Sequence, residues 1–215
     1  MKTSIIICAF NEEKFVANVV RDCCKLNPES EVIVVDDGST DRTAEILYDL
    51  SKTHSFRYER LDENLGKSFA MAHGIEKSIN DIILFFDADI SNIRKNHFID
   101  LLNPILEGKA DMVLGQPSET LLHKKINPFK SLTGERALLK RDIIPILDKL
   151  RDQRFGVETF LNHHYQAKGK RIQFVMLEGL KHPTKYMKTT PYRATKEYLE
   201  EGYEILLTQM GIANW

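Results

Sequence analysis

Two carboxylates close an apolar run in Ile83-Leu84-Phe85-Phe86-Asp87-Ala88-Asp89, separated by a single small residue. Mg2+ and Mn2+ prefer oxygen ligands and commonly hold substrate phosphates through one or two carboxylates plus water, which Asp87 and Asp89 can supply. Ala88 is small enough to let a ligand approach the backbone. The plain alternative is a polar strand end, but acids this close repel unless a cation, a proton or a donor compensates them. A second apolar run ends the same way, in Val34-Val35-Asp36-Asp37-Gly38-Ser39-Thr40-Asp41. Ligands of open parallel sheets bind beyond the carboxyl ends of the strands, so these acids would face a crevice. Asp, Gly and Ser also suit a capped strand-to-helix turn that binds nothing. A third segment, Asn64-Leu65-Gly66-Lys67-Ser68, places a glycine before a helix start, offering backbone donors and the Lys67 charge to a phosphate or carboxylate. It is not a P-loop, because that motif needs another glycine five residues before Gly66, where Leu61 stands.

The surrounding pattern must hold these turns at one edge. Short apolar runs predict strands at Ser4–Cys8, Glu31–Val35, Phe56–Leu61 and Ile82–Phe86. Between them, apolar residues spaced by three and four predict helices at Glu12–Lys25, Asp41–Lys52 and Lys67–Ser78. The alternation is that of an α/β protein with a mostly parallel, doubly wound sheet flanked by helices. After Asp89 the rhythm predicts a helix at His97–Leu106 and a strand at Asp111–Gly115. Gln116–Thr133 has no period and reads as a mobile functional loop. A helix at Gly156–Ala167, a strand at Arg171–Leu177, a polar loop at Gly179–Tyr192 and a last helix at Ala194–Met210 complete the chain.

The three turns, together with Cys8-Ala9-Phe10-Asn11-Glu12-Glu13 after the first strand, resemble in order and spacing the family 2 glycosyltransferases of GT-A fold. Each motif is weak singly; four in register are specific. The resemblance implies a metal-dependent enzyme that moves a sugar from a nucleotide-diphosphate sugar, a UDP-sugar first and a GDP-sugar next, to an acceptor hydroxyl or phosphate. It further implies that Ala9, Phe10 and Glu12 line the nucleoside pocket and that Asp37 faces the base. Lys67 would lie near the donor, and Asp87, Ala88 and Asp89 would meet ribose and a Mn2+ or Mg2+ ion. Cys8 stands where the family often has proline. Residues 1–115 would form the nucleotide-sugar half of a single domain, 116–192 the acceptor and lid half, and 193–215 a C-terminal helix.

Later segments resemble the family more loosely. Glu158, in Phe155-Gly156-Val157-Glu158-Thr159, stands where family members often keep an acid facing the acceptor, which makes it the expected general base of an inverting transfer. A carboxylate at a helix start is also stabilising without any chemistry. His182 follows a strand and is the expected third metal ligand, on a lid that closes over the diphosphate. Gly134 and Arg136 are expected acceptor contacts, with Arg136 offering a fork to an anion; the alternative is a solvated helix start. Adjacent His163 and His164 cannot share a helix face and are assigned to no metal.

The 215 residues suit one domain, and a formal net charge of -1 from 30 basic and 31 acidic residues gives no reason to expect nucleic acid. Cys8, Cys23 and Cys24 form neither a disulfide framework nor a zinc pattern and read as reduced thiols, the expectation being a cytoplasmic protein. No run approaches the roughly 20 apolar residues of a membrane span. Peripheral membrane contact through the last helix, a homo-oligomer, and a carbohydrate, small-molecule or lipid-phosphate acceptor all stay compatible with the sequence. Two competing functions are weighed. Asp87-Ala88-Asp89 also looks like the nucleophile motif of haloacid-dehalogenase phosphatases, though that motif normally follows the first strand, and a non-catalytic nucleotide-sugar binding module would keep the pocket alone.

Overall fold

Alternation along the apolar runs sets the layers. The computed structural model describes residues 2–117, 133–153 and 156–182. In β1 (Thr3–Ala9), Ile5 and Ile7 join one apolar cluster and Ile6 the other, because successive side chains of a strand point to opposite faces. Flanking it, β2 (Glu31–Asp36) and β4 (Ile82–Asp87) divide likewise. Val32, Val34, Leu84 and Phe86 side with Ile5; Ile33, Val35, Ile83 and Phe85 side with Ile6. Both faces are covered, which is why these strands read as unbroken apolar runs.

The first face is roofed by α1 (Val16–Leu26), α2 (Thr43–Ser51) and α4 (Lys95–Leu106). Val16, Val19, Val20 and Cys23 form the buried stripe of α1, and Phe98, Leu101 and Ile105 that of α4. The second face carries α3 (Lys67–Lys77), α5 (Lys140–Ile143), α6 (Leu147–Arg151) and α7 (Val157–Ala167). Gly74 lets α3 lie close on the sheet: a Cβ there would sit 2.5 Å from Ile6 Cγ2.

With β3 (Arg57–Arg60), β5 (Met112–Pro117), β6 (Arg136–Leu139) and β7 (Ile172–Leu177), the seven strands among the described residues run in the order β3-β2-β1-β4-β6-β5-β7. Every pairing is parallel except those of β6, which is antiparallel to both β4 and β5. This is the mostly parallel α/β sheet expected, with one strand the sequence did not announce. Arg136 is no solvated helix start: it opens β6, and all four residues of that strand are buried. Reversal of β6 brings its first residues beside the last residues of β4, since Phe85 pairs with Arg136. The expected helix 194–210, most of 116–133, and much of 179–192 lie outside the described residues.

Helix α1 starts at Val16, not at Glu12, because residues 11–13 are engaged elsewhere. Asn11, at φ 56°, accepts from the backbone N–H of Thr40 (2.8 Å), while its own N–H donates to Ser39 Oγ (3.0 Å) and that of Glu12 to Thr43 Oγ1 (2.8 Å). The first two sequence motifs thus stitch β1 to β2 at one edge. Gly38 completes the join at φ +67°, where a Cβ would lie 2.3 Å from the Glu63 carbonyl carbon. Gly38→Ala is expected to cost about 1–3 kcal/mol in backbone strain, with the clash adding to it. Denaturant titration of the variant checks this, and an unchanged midpoint would contradict it.

Candidate active site

The carboxyl ends of β1, β2 and β4 share one edge, with Ala9 opposite Asp36 and Cys8 opposite Asp87. Asp36 is buried and structural: its carboxylate takes the Ser39 N–H (2.9 Å) and the Tyr58 hydroxyl (3.1 Å). Asp37 is 3% exposed and accepts the N–H groups of Leu65 and Gly66, each at 2.9 Å. Burial pushes the Asp37 carboxyl above its usual range, the two N–H groups pull it down, and Asp36 pushes it up again, for a net rise. In this structure Asp37 holds the turn that opens α3, each of its oxygens accepting one of these N–H groups.

The turn delivers Lys67 to the centre of the site. Lys67 Nζ lies 2.9 Å from Asp87 Oδ1 and 2.9 Å from Glu158 Oε1, so one ammonium joins two carboxylates from different halves of the chain. Burial would raise the Asp87 carboxyl, but Lys67, His182 and Arg136 together hold it below the ordinary range. Burial likewise acts to raise Glu158, and Lys67 with Arg136 outweighs it. The charge repulsion expected of Asp87 and Asp89 is therefore compensated from within the chain.

Asp87, Asp89 and His182 offer ligand atoms that all lie within 4.8 Å of one another. Residues 178–182 are held there by α4 and the segment after Asp89. Ser91 and Lys181 exchange backbone hydrogen bonds (2.9 and 3.1 Å), Asn92 Nδ2 donates to the Gly179 carbonyl (2.6 Å), and His97 Nε2 lies 2.9 Å from the Glu178 carbonyl. His97 Nδ1 accepts the Arg94 N–H, so that ring is engaged on both sides. His182 Nε2 also lies 3.3 Å from Glu135 Oε2. Burial lowers the His182 pKa, but Glu135, Asp87 and Asp89 overcome it and raise it to about 9.

The two expected acceptor contacts, Gly134 and Arg136, are both buried. Arg136 is 0% exposed and Nη2 donates to the Thr133 carbonyl, so it lies under the site as a buried positive charge, with Nε and Nη1 making no hydrogen bond among the described residues. Gly134 is packed against Asp87, where a Cβ would come 2.2 Å from Oδ2. Ala9 is buried in the core and Ala88 is 4% exposed; Phe10 is 42% exposed, and Glu12 is half-buried. Sequence reasoning missed Glu135, a fully buried acid beside the site. Its signal was present: a charge between Gly134 and the apolar residues Ala137 to Leu139 has to find a partner when those residues are buried.

A family model described as Glycosyl transferase family 2 matches residues 4–171. The chain belongs to that family. Over 87 residues it is 37% identical to a poly-beta-1,6-N-acetyl-D-glucosamine synthase of Staphylococcus epidermidis, a stretch covering 40% of this chain and 21% of that protein. The synthase of Staphylococcus aureus (strain COL) is 31% identical over 87 residues, with the same coverage. This chain therefore spans only 21% of the length of these curated relatives. Among solved structures, glucosyl-3-phosphoglycerate synthase from Mycobacterium tuberculosis, in complex with Mn2+, UDP and glucosyl-3-phosphoglycerate, aligns with a TM-score of 0.74 at 21% identity. That alignment covers 99% of this chain and 81% of the other. S. aureus TarS 1–349 aligns with a TM-score of 0.63 at 18% identity, over 81% of this chain and 58% of the other. The fold is the GT-A arrangement. With Asp87-Ala88-Asp89 after the fourth strand and this family match, the phosphatase alternative has no support.

Proposed function

We propose that this chain transfers a sugar from a nucleotide-diphosphate sugar, a UDP-sugar first, to an acceptor hydroxyl or phosphate. The observation that carries the reading is the convergence of Asp87, Asp89 and His182 at the sheet edge where Lys67 also arrives. Two carboxylates and one imidazole are a donor set that fits Mn2+ and, less closely, Mg2+. A divalent ion held there would neutralise charge developing on the leaving diphosphate. Lys67 would pair with the same diphosphate, and the backbone at Ala88 would let the donor approach. Phe10, 42% exposed after β1, would meet the nucleoside.

Glu158 is the proposed proton acceptor for the attacking hydroxyl. Inversion at the anomeric carbon is the expected outcome, read by NMR of the first-formed product; retention would leave Glu158 without the role of base. The M. tuberculosis synthase was solved with phosphoglyceric acid, which supports a small anionic acceptor as the first to screen. Described residues contain no helix long and apolar enough to cross a membrane.

Thermal-shift screening of UDP-, GDP- and dTDP-sugars with Mn2+ or Mg2+ tests the donor. A ligand at 100 times its Kd stabilises by about 2.7 kcal/mol, a readily measured rise in Tm. No rise with any nucleotide sugar and metal would remove the proposal. Gly134→Ala gives a second check, since its methyl group must displace the Asp87 carboxylate. The expected loss is on the order of 100-fold in transfer, the scale of an ångström-level misplacement. Steady-state rates for the variant at saturating donor would show it, and wild-type turnover would mean that the Asp87 position is not critical.

A further inference from the structure

Glu135 is a fully buried carboxylate with no place in the mechanism above. Burying a charge is costly unless it is paired and hydrogen-bonded, so its retention in the interior calls for a partner. Among the described residues the imidazole of His182 is its ion-pair partner, with Nε2 at 3.3 Å from Oε2. The same oxygen accepts the Thr133 hydroxyl at 2.7 Å, and the Glu135 backbone carbonyl accepts the Gly115 N–H at 2.9 Å. Gly115 lets this side chain lie against β5, because a Cβ there would already be 3.2 Å from Glu135 Cβ. Oε2 of the carboxylate is thus held by Thr133 and His182 while Oε1 is buried without a hydrogen-bond partner among the described residues, the Glu135 backbone is tied to β5, and the backbone of the imidazole it meets is fixed by the Ser91–Lys181 bridge next to it.

We infer that Glu135 is a positioning residue for the metal centre: it holds Nε2 of His182 so that Nδ1 is the nitrogen presented to the ion beside Asp87 and Asp89. The inference rests on the proposed metal-dependent function. An imidazole has two nitrogens, and the hydrogen bond made by one decides which is left for a metal. Carboxylates behind ligating histidines commonly set the ring orientation and raise the basicity of the ligand, and losing them costs 10- to 100-fold in metal affinity. Glu135 differs from Asp87 and Asp89 in being wholly inaccessible, so it can serve the ion only through His182.

The test uses the full chain with UDP and Mn2+, comparing wild type, Glu135→Met, Glu135→Gln and His182→Ala. Mn2+ affinity is measured by calorimetry, and pulsed electron paramagnetic resonance reads coupling to a ligating 14N nucleus. The expected result is imidazole nitrogen coupling in wild type that Glu135→Met weakens or abolishes, with a 10- to 100-fold drop in Mn2+ affinity. Glu135→Gln can still accept the imidazole N–H, so it keeps the nitrogen signal and loses less affinity. Wild-type affinity in Glu135→Met, or lost affinity with full nitrogen coupling, would overturn the inference. Should Glu135→Met not fold, Glu135→Gln decides: reduced affinity supports the role and unchanged affinity ends it. If His182→Ala binds Mn2+ as wild type does, the ligand role of His182 fails and this inference with it, while Asp89→Ala judges the donor site separately.

Discussion

Asp89→Ala is expected to remove the metal dependence of nucleotide binding and to lower sugar transfer by about a thousandfold. The magnitude is that of deleting one preorganised electrostatic group from a transition-state site, about 10²–10³ in kcat, with the upper end expected for a direct metal ligand. Asp89 is the position that leaves the Lys67 and Gly134 contacts of Asp87 in place. It lies past the end of β4 and is partly exposed, whereas Asp87 is bound to Lys67 and packed against Gly134, so that changing Asp87 disturbs its neighbours too. Calorimetric titration of UDP with and without Mn2+ separates the effects. Wild-type, metal-dependent UDP affinity in Asp89→Ala would overturn the central assignment, whatever the overall stability of the variant.

Glu158→Gln should lower kcat by about 10²–10⁴, the usual contribution of a general base, with donor affinity nearly unchanged. The amide keeps the shape of the side chain and removes its proton affinity. Lys67 still has Asp87 as a partner, so the donor half of the site should survive. The pH dependence follows from the sign of the shift. Burial would raise the Glu158 carboxyl, but Lys67 and Arg136 bring it below its usual value, near 4.3 in peptides. A group with a depressed folded pKa stabilises the fold above its unfolded pKa and loses that contribution as the pH falls through the folded one. The Lys67–Glu158 pair is therefore intact at neutral pH, and acid should break it only below about pH 4, where the unfolded-state carboxyl already titrates. Stability and rate profiles of wild type and Glu158→Gln between pH 2.5 and 9 would show this, and equal kcat in both would remove the base.

Strand ends with tight turns were legible because the chemistry and the fold use the same residues there. Asn11, Asp36, Asp37 and Gly38 advertise a turn by type, and that turn is also the edge of the crevice. Longer apolar runs such as Ile82–Phe86 were legible because burial on both faces leaves no polar residue to blur them. Strand β6 was not, since four residues show no period and Glu135 and Arg136 at its start look like surface. Only the tertiary arrangement tells that those charges sit inside, paired with His182 and with a backbone carbonyl. For the same reason the surroundings of Gly134 and Arg136 are not legible: one position needs space for Asp87, and the other places a buried charge near both Asp87 and Glu158.

Lys67 has a wider consequence for which ions can use the site. A sodium or potassium ion arriving at Asp87 would displace an ammonium of equal charge that is tethered already, and would gain little by the exchange. A divalent ion arriving with a diphosphate brings a second charge for the carboxylates and fresh anionic oxygens for the displaced lysine. On the proposed function such a site would admit metal and nucleotide together, each lowering the cost of the other, while the monovalent salt that surrounds every protein would compete with a cation of the protein's own.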